Sequence, residues 1–172
     1  EDVFDNFWSL VEKWKASFIT IVPTAAAELM QRPINADVSS LKYALCGSAP
    51  LPQDLFKKFE ASTGIKILEG YGMTEATCLV SGNPVDGGVR KIGSVGIPFP
   101  YTKIKIAQEG SDLNKIKTCK VHEIGEVCVA NPGVIPGRTY TDSKKNKDLF
   151  YETDFLRTGD LGYLDNDGYL YI

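Results

Sequence analysis

The segment Glu-Gly-Tyr-Gly-Met-Thr-Glu-Ala-Thr, towards the middle of the chain, carries the side chains best suited to chemistry in this sequence. Gly70 and Gly72 are expected to allow a positive φ and a close approach of the backbone to a ligand. Tyr71 between them can lie flat on a planar base. Thr74 offers a hydroxyl, and Glu75 offers the hard anionic oxygen that Mg²⁺ prefers. This combination predicts a site for a nucleotide phosphate and a metal ion.

Other phosphate-binding patterns do not fit this segment. A dinucleotide-binding fingerprint requires a third glycine at the position of Glu75. A Walker-type loop requires Gly-Lys followed by Ser or Thr, and the sequence contains no such run. On the residues alone, an ordinary strand–turn–helix connection, in which Thr74 caps the helix, stays open beside the nucleotide interpretation.

A second candidate is the tripeptide Thr158-Gly159-Asp160. Asp160 follows a glycine and is predicted to lie at the mouth of a pair of strands. A carboxylate in that position can accept both hydroxyls of a ribose, and each such charge-assisted bond contributes about 1.5–3 kcal/mol. As a single residue, an aspartate that only forms a turn stays an open alternative.

The first half of the sequence alternates between helix and strand patterns. Residues 3–15 are predicted to form a helix, because large apolar side chains recur there at three- and four-residue intervals. The predicted buried face consists of Phe4, Phe7, Trp8, Val11 and Trp14. The elements predicted after it are a strand at 17–22, a helix from 23 to about 31, a strand at 41–46, a helix from 52 to 64 and a strand at 65–68.

These elements predict how two loops are placed. Strands that alternate with helices through short connections run parallel with right-handed crossovers. The loop Gly47-Ser48-Ala49 and the glycine-rich turn after Leu68 are therefore expected at the carboxyl ends of neighbouring strands, where both can face one ligand.

The second half of the sequence has a different pattern. A glycine-rich stretch at 82–96 predicts a flexible loop, and short alternating segments such as 103–106 and 125–129 predict antiparallel strands. Asp165-Asn166-Asp167-Gly168 predicts a hairpin turn, and the lysine-rich run at 142–148 predicts a solvated face or a helix. The predicted fold class is α/β, with a parallel βαβαβ lobe at 1–98 followed by a β-rich, antiparallel, barrel-like lobe at 99–172.

Composition restricts the partners and the compartment. The 172 residues carry a net charge of −3, which gives no reason to expect nucleic acid or an anionic membrane surface as a partner. No segment approaches the roughly 20 apolar residues of a membrane span. The four cysteines form no Cys-x-x-Cys pair, and with the single histidine, His122, they make no recognisable metal set. Free thiols, and hence a cytoplasmic location, are expected.

Taken together, these motifs resemble those of the adenylate-forming enzymes, which include acyl-CoA synthetases, luciferases and the adenylation domains of peptide synthetases. The similarity rests on Gly47-Ser48-Ala49-Pro50-Leu51-Pro52, on the Tyr71 motif and on Arg157-Thr158-Gly159-Asp160, in the family's order. Gly93-Ser94-Val95-Gly96-Ile97-Pro98 and Gly125-Glu126-Val127 are also similar to the family. Within the family, the sequence looks most like bacterial fatty or aryl acyl-CoA synthetases.

The resemblance implies which residues contact the nucleotide. They are Gly47, Ser48, Ala49, Glu69, Gly70, Tyr71, Gly72, Met73, Thr74 and Asp160. The backbone of the Gly47 loop is implied to line the adenine pocket, Tyr71 to stack on the base, and Asp160 to bind the ribose diol.

The metal and acyl sites are implied in the same way. Glu75 is implied to bind Mg²⁺, and it forms the catalytic pair with Thr74, which is implied to bind the phosphate. Gly72 and Met73 are implied to border the acyl carboxylate, and the segment Val22-Pro23-Thr24 to lie near the acyl chain.

The implied activity is the ATP-dependent ligation of a fatty or aromatic carboxylic acid to coenzyme A through an acyl-adenylate, with Mg²⁺ as cofactor. The sequence lacks the family's upstream Pro-Lys phosphate loop and its downstream hinge and lysine-bearing domain. It is therefore expected to be an internal fragment, flanked by the rest of a parent chain and inactive by itself. The alternatives are a peptide-synthetase adenylation domain, a luciferase-like ligase, or a non-catalytic nucleotide-binding relic.

Overall fold

The computed structural model describes residues 3–172, which divide into two units by their contacts. One unit contains the described residues up to Glu69 together with Pro84–Gly93, and we call it the parallel unit. The other contains Gly70–Asn83 and Ser94–Ile172, and we call it the antiparallel unit. No helix in the described part of the chain is long and apolar enough to cross a membrane.

The parallel unit follows the predicted order of strands and helices. Its elements are α1 (Phe7–Trp14), β1 (Phe18–Ile21), α2 (Pro23–Leu29), β2 (Tyr43–Cys46), α3 (Gln53–Thr63) and the first half of β3 (Lys66–Met73). The strands pair in parallel, with Phe18 opposite Tyr43 and Tyr43 opposite Lys66. The predicted parallel βαβαβ arrangement is confirmed.

Helix α3 shows how sequence signals set the limits of one element. Pro52 is its N-cap, and Gly64 ends it in the left-handed conformation with a φ of 69°. Phe56 and Phe59 lie three residues apart on one face and are almost fully buried in the core of the parallel unit. The prediction for this helix, including its termination at Gly64, is confirmed.

Helix α1 is shorter than predicted. It begins at Phe7 rather than at Val3, and it ends at Trp14, where Lys15 adopts a φ of 49°. Trp8 and Val11 are buried, but Trp14 is 72% exposed. The predicted buried stripe is therefore wrong at Trp14, because the helix ends at that residue.

The third strand is longer than predicted. Strand β3 continues beyond Leu68 to Met73, so the glycine-rich segment is strand rather than turn. Its second half, in the antiparallel unit, pairs with β4 (Cys78–Gly82), which in turn pairs with β5 (Ile97–Pro98). The sequence analysis did not predict β4.

The positive φ predicted for the two glycines of this segment is wrong. Neither Gly70 nor Gly72 has a positive φ. Instead, the β3–β4 register is irregular between Tyr71 and Gly72, and a Cβ atom on Gly72 would lie 2.0 Å from the carbonyl oxygen of Cys78. The absence of a side chain at Gly72 allows β3 and β4 to approach closely.

The antiparallel unit continues with a curled sheet. Its strands are β6 (Lys103–Ala107), β7 (Gly125–Ala130), β8 (Phe150–Tyr151), β9 (Phe155–Leu164) and β10 (Leu170–Tyr171), in the order β10-β9-β7-β6 with β8 paired to β9. Val127, Val129, Leu156 and Leu170 are buried in its core. The predicted β-rich antiparallel lobe is confirmed.

Strand β9 and its hairpin place Asp160. The hairpin between β9 and β10 forms as predicted, with Asp165 Oδ1 accepting the backbone N–H groups of Asp167 and Tyr169 at 2.9 Å each. However, β9 begins at Phe155, so Asp160 lies within a strand and not at the mouth of a strand pair. The prediction of its local setting was therefore wrong.

Candidate functional site

The loop after β2 contains a non-glycine residue in the left-handed conformation. Gly47, Ser48 and Ala49 follow Cys46, which ends β2 and pairs in register with Glu69. Ser48 adopts a positive φ of 68°, and both Ser48 and Ala49 are exposed. A left-handed conformation costs a non-glycine residue about 1–2 kcal/mol, so the surrounding fold must hold this turn.

Glu69 is a buried carboxylate within the parallel unit. It is 8% exposed, and its Oε2 accepts the backbone N–H of Gly93 at 3.0 Å. The pKa of Glu69 is raised overall, because the effect of burial exceeds the opposing effects of the Gly93 N–H and the Arg90 guanidinium. Arg90 also binds the Glu60 carboxylate and the Ile67 carbonyl. Within the parallel unit, these contacts hold the segment Pro84–Gly93 against strand β3 and helix α3.

The side chains of Tyr71 and Asp160 form a direct hydrogen bond, although the two residues are 89 positions apart in the sequence. The Tyr71 hydroxyl donates a hydrogen bond of 2.5 Å to Asp160 Oδ2. Burial, reinforced by this bond, raises the pKa of Tyr71. The phenol therefore stays protonated at neutral pH and acts as the donor of the pair.

The backbone around Asp160 is also fixed. The Asp160 N–H donates to Thr158 Oγ1 at 3.1 Å, and the Thr158 hydroxyl donates to the Val127 carbonyl at 2.7 Å. Because Val127 lies in the buried strand β7, this chain of bonds connects the candidate carboxylate to the core of the antiparallel unit.

Glu75 lies in a short 3₁₀ turn, Thr74–Ala76, directly after β3. The Tyr140 hydroxyl donates a hydrogen bond of 2.6 Å to Glu75 Oε1. This bond lowers the pKa of Glu75 and raises the pKa of Tyr140. Glu75 is half-buried, and the preceding Thr74 is exposed. The structure therefore keeps an ionised carboxylate at this turn.

A metal ion at Glu75 would take most of its ligands from groups other than the His, Cys, Asp and Glu side chains of the described residues. Among residues 3–172, no group of three or more His, Cys, Asp or Glu side chains is arranged to hold a metal ion. Zinc would require three or four protein ligands. Mg²⁺ fits better, because proteins commonly bind it through one or two carboxylates together with substrate phosphates and water.

The candidate residues are divided between the two units. The parallel unit contains Gly47, Ser48, Ala49 and Glu69, and the antiparallel unit contains Gly70, Tyr71, Gly72, Met73, Thr74, Glu75 and Asp160. Within the antiparallel unit, the pKa of Tyr71 is raised mainly by burial and by its bond to Asp160, and the charge of Glu75 adds to this. Met73 packs partly buried against the core of that unit.

Sequence reasoning missed Tyr140. It lies in a segment without helical or strand periodicity, just before the lysine-rich run, and its partner Glu75 is 65 residues away. No local spacing indicates such a contact.

The chain matches a known protein family. A family model described as "AMP-binding enzyme" matches residues 1–138, which is more than half of the chain. The chain belongs to the AMP-binding enzyme family. The resemblance to adenylate-forming enzymes is thus confirmed.

Individual relatives agree with this assignment. The marinolic acid–CoA ligase of Pseudoalteromonas sp. (strain SANK 73390) is 40% identical over 171 residues, covering 99% of this chain and 26% of that protein. The crystal structure of ATP-bound MatB from Rhodopseudomonas palustris matches with a TM-score of 0.86 and 32% identity over 98% of this chain and 32% of that one.

A third relative was solved with both nucleotide and metal. The structure of O-succinylbenzoate coenzyme A synthetase (MenE) from Bacillus subtilis, in complex with ATP and magnesium ion, matches with a TM-score of 0.80 and 30% identity. It covers 98% of this chain and 33% of the MenE chain. The chain therefore spans between 26% and 33% of the length of these relatives.

Proposed function

We propose that this chain belongs to a longer enzyme that joins a carboxylic acid to coenzyme A and converts ATP to AMP and pyrophosphate. One observation carries the proposal. In a member of the AMP-binding family, two carboxylates from distant parts of the sequence, Asp160 and Glu75, are each held by a tyrosine hydroxyl within the same unit. They offer one anionic group for a ribose and one for a cation.

Asp160 is proposed to bind the ribose diol. The Tyr71 hydroxyl engages Oδ2, and a carboxylate has further lone pairs on both oxygens for the ribose hydroxyls. Because its hydroxyl is fixed by Asp160, the Tyr71 ring has a defined orientation in which adenine can stack on it. In the parallel unit, the backbone of the Gly47-Ser48-Ala49 loop and the Glu69 side chain are proposed to be nucleotide-binding groups.

Thr74 is proposed to bind a phosphate and Glu75 to bind Mg²⁺. When bound, Mg²⁺ would stabilise the negative charge that develops on the phosphate oxygens. The bond between Tyr140 and Glu75 keeps the carboxylate ionised and oriented for this role. Gly72 and Met73 are proposed to border the acyl carboxylate.

The chemistry would proceed in two displacements. A carboxylate oxygen of the acid attacks the α-phosphorus of ATP, and the bond to pyrophosphate breaks, which leaves an acyl-adenylate. The sulfur of coenzyme A then attacks the acyl carbon, the thiol proton is lost, and AMP departs. Neither step needs a side-chain nucleophile, because the substrates supply both, and the protein contributes position and charge.

The acid is proposed to be a fatty or aromatic carboxylic acid, with the Val22-Pro23-Thr24 segment near its chain. The reaction would take place in the cytoplasm, where coenzyme A and ATP are available. The four cysteines are free thiols in the structure, which fits a reducing compartment.

The test is acid-dependent exchange of labelled pyrophosphate into ATP by the full-length protein. The panel contains aliphatic acids of graded length, aromatic acids and amino acids, and each active acid is then tested for thioester formation with coenzyme A. We expect exchange with a fatty or aromatic acid, followed by release of AMP when coenzyme A is added. Exchange with amino acids alone would favour a peptide-synthetase adenylation domain instead.

Binding of ATP without exchange for any acid would indicate a non-catalytic relic and would overturn the proposal. Oxidation of an acyl-adenylate with light emission would favour the luciferase-like alternative. In the same assay the 172-residue chain by itself is proposed to be inactive, since it spans only 26–33% of the relatives' length.

A further inference from the structure

We propose that Tyr140 is a positioning residue for the Glu75 carboxylate and that Asn146 holds Tyr140 in place for this task. The inference rests on the proposed function, because it takes Glu75 as the ligand of Mg²⁺. It assigns a role to the segment around the lysine-rich run, for which the sequence predicted only a solvated face or a helix.

The first step is the contact itself. The Tyr140 hydroxyl donates to Glu75 Oε1 at 2.6 Å, within the range of a strong bond to an ionised acceptor. A glutamate side chain has three rotatable torsions, and this bond removes much of that freedom. Oε1 is thus engaged by the protein, and Oε2 would be the oxygen that binds the cation.

The second step is the way Tyr140 is held. The Asn146 side chain binds the Tyr140 backbone twice: its Oδ1 accepts the Tyr140 N–H at 2.8 Å, and its Nδ2 donates to the Tyr140 carbonyl at 2.8 Å. Both polar backbone groups of one residue are therefore fixed by a single side chain. Few arrangements define the position of a loop residue more tightly.

The third step is the way Asn146 is held. It is the last residue of a 3₁₀ turn, Ser143–Asn146, and the Asp142 side chain caps this turn by accepting the Lys144 N–H at 3.0 Å. The lysine-rich run therefore has a defined backbone, while its lysine side chains remain exposed. Its order is transmitted through Asn146 to Tyr140 and from Tyr140 to Glu75.

A purely structural role for Tyr140 fits the structure less well. Tyr140 is only half-buried, and the hydrophobic core clusters of the described residues do not include it. Removing its hydroxyl should therefore affect Glu75 much more than the packing of the antiparallel unit.

The experiment compares Tyr140→Phe, Asn146→Ala, Tyr151→Phe and Glu75→Gln in the full-length protein. Tyr151 is a matched control, because its hydroxyl also lies near a glutamate of the same unit, 3.4 Å from Glu126 Oε2. Three quantities are measured: the Kd of ATP by calorimetry with Mg²⁺ and with EDTA, the Mg²⁺ concentration that gives half-maximal pyrophosphate exchange, and the Tm.

We expect Tyr140→Phe to raise the half-maximal Mg²⁺ concentration about tenfold, because residues that orient a metal ligand typically change metal affinity by about that factor or more. The Kd of ATP should rise in Mg²⁺ but not in EDTA, and the Tm should change by less than about 4 °C. Asn146→Ala should shift the same quantities in the same direction by a smaller factor. Tyr151→Phe should leave the Mg²⁺ dependence unchanged.

The other outcomes separate this inference from the proposed function. An unchanged Mg²⁺ dependence in Tyr140→Phe, with Glu75→Gln strongly impaired, would overturn the inference and leave the proposed function intact. An equal rise of the Kd of ATP in Mg²⁺ and in EDTA would show a structural role and would also overturn it. If Glu75→Gln itself retained normal Mg²⁺ dependence, the assignment of Glu75 to the metal would fail, and this inference with it.

Discussion

The two units support their candidate residues in different ways. In the parallel unit, the Gly47-Ser48-Ala49 loop follows strand β2, has a positive φ at Ser48, and is proposed to act through its backbone groups. In the antiparallel unit, the candidates Asp160 and Glu75 are side chains that each accept a tyrosine hydroxyl. A site built from backbone should tolerate any side chain that keeps the turn, whereas a site built from side chains should fail when one functional group is lost.

The largest effect is expected for Gly72→Ala, in the antiparallel unit. The added Cβ would lie 2.0 Å from the Cys78 carbonyl oxygen and 2.8 Å from Leu79 Cα, both of which are backbone atoms that cannot rotate away. We expect loss of about 3 kcal/mol or more of unfolding free energy, together with loss of activity, because the β3–β4 pairing that orients Tyr71 must open.

The control for this variant is Gly64→Ala in the parallel unit. A Cβ there meets no atom within 4 Å, and only the φ of 69° opposes it, so about 1–2 kcal/mol is expected. Urea unfolding of the two variants measures the difference. Equal losses at both glycines would mean that the β3–β4 pairing accommodates the added Cβ, and the close approach of β4 would then not explain the glycine at Gly72.

Gly72 also shows which parts of the fold the sequence could predict. The parallel unit was predictable because its signals are local: apolar runs alternate with helices, and Gly64 marks a helix end. Strand β4 was not, because Thr77, which precedes it, and Cys78, its first residue, both adopt a positive φ, at 55° and 83°, without a glycine to signal the turn. Its pairing with β3 depends on tertiary packing, which the local residue pattern does not predict.

The candidate site was predictable to a similar degree. Tyr71, Glu75 and Asp160 belong to short motifs, so they could be selected from the sequence, although their roles remain predictions. The bond between Tyr71 and Asp160, and the bond between Tyr140 and Glu75, join residues 89 and 65 positions apart. Spacing along the chain carries no information about such contacts, which depend on the register of β9 and on the turn that ends at Asn146.

The next largest effect is expected for Glu75→Gln. This change keeps the shape of the side chain but removes the charge proposed to bind Mg²⁺, so adenylation should fall by about 10²-fold or more. Excess Mg²⁺ should restore part of the activity. Pyrophosphate exchange measured over a Mg²⁺ series tests this, with Glu109→Gln, an exposed glutamate in a turn, as the control. Normal exchange at limiting Mg²⁺ would remove Glu75 from the proposed metal site.

A smaller effect is expected for Asp160→Ala, because this change removes a substrate contact and not a charge at the reacting phosphate. The KM for ATP should rise about tenfold, which corresponds to one charge-assisted hydrogen bond, while the KM for the acid stays nearly constant. The variant should also lose the ability to distinguish ATP from 2′-deoxy-ATP. If substitution weakened ATP and 2′-deoxy-ATP by the same factor, Asp160 would not be the partner of the ribose.

The smallest effect is expected for Ser48→Gly. This variant tests directly whether the loop of the parallel unit acts through its backbone. Glycine adopts the positive φ of this residue without strain, so a loop that acts through its backbone should keep adenylation within about twofold. Ser48→Val is the informative counterpart, because a β-branched residue is strongly disfavoured in that conformation and must displace the turn. Valine should therefore raise the KM for ATP by several fold, while glycine should not. Steady-state kinetics of the two variants decide the matter: if Ser48→Gly lost as much activity as Ser48→Val, the Ser48 hydroxyl itself would contact the ligand, and the parallel unit would also use side chains for binding.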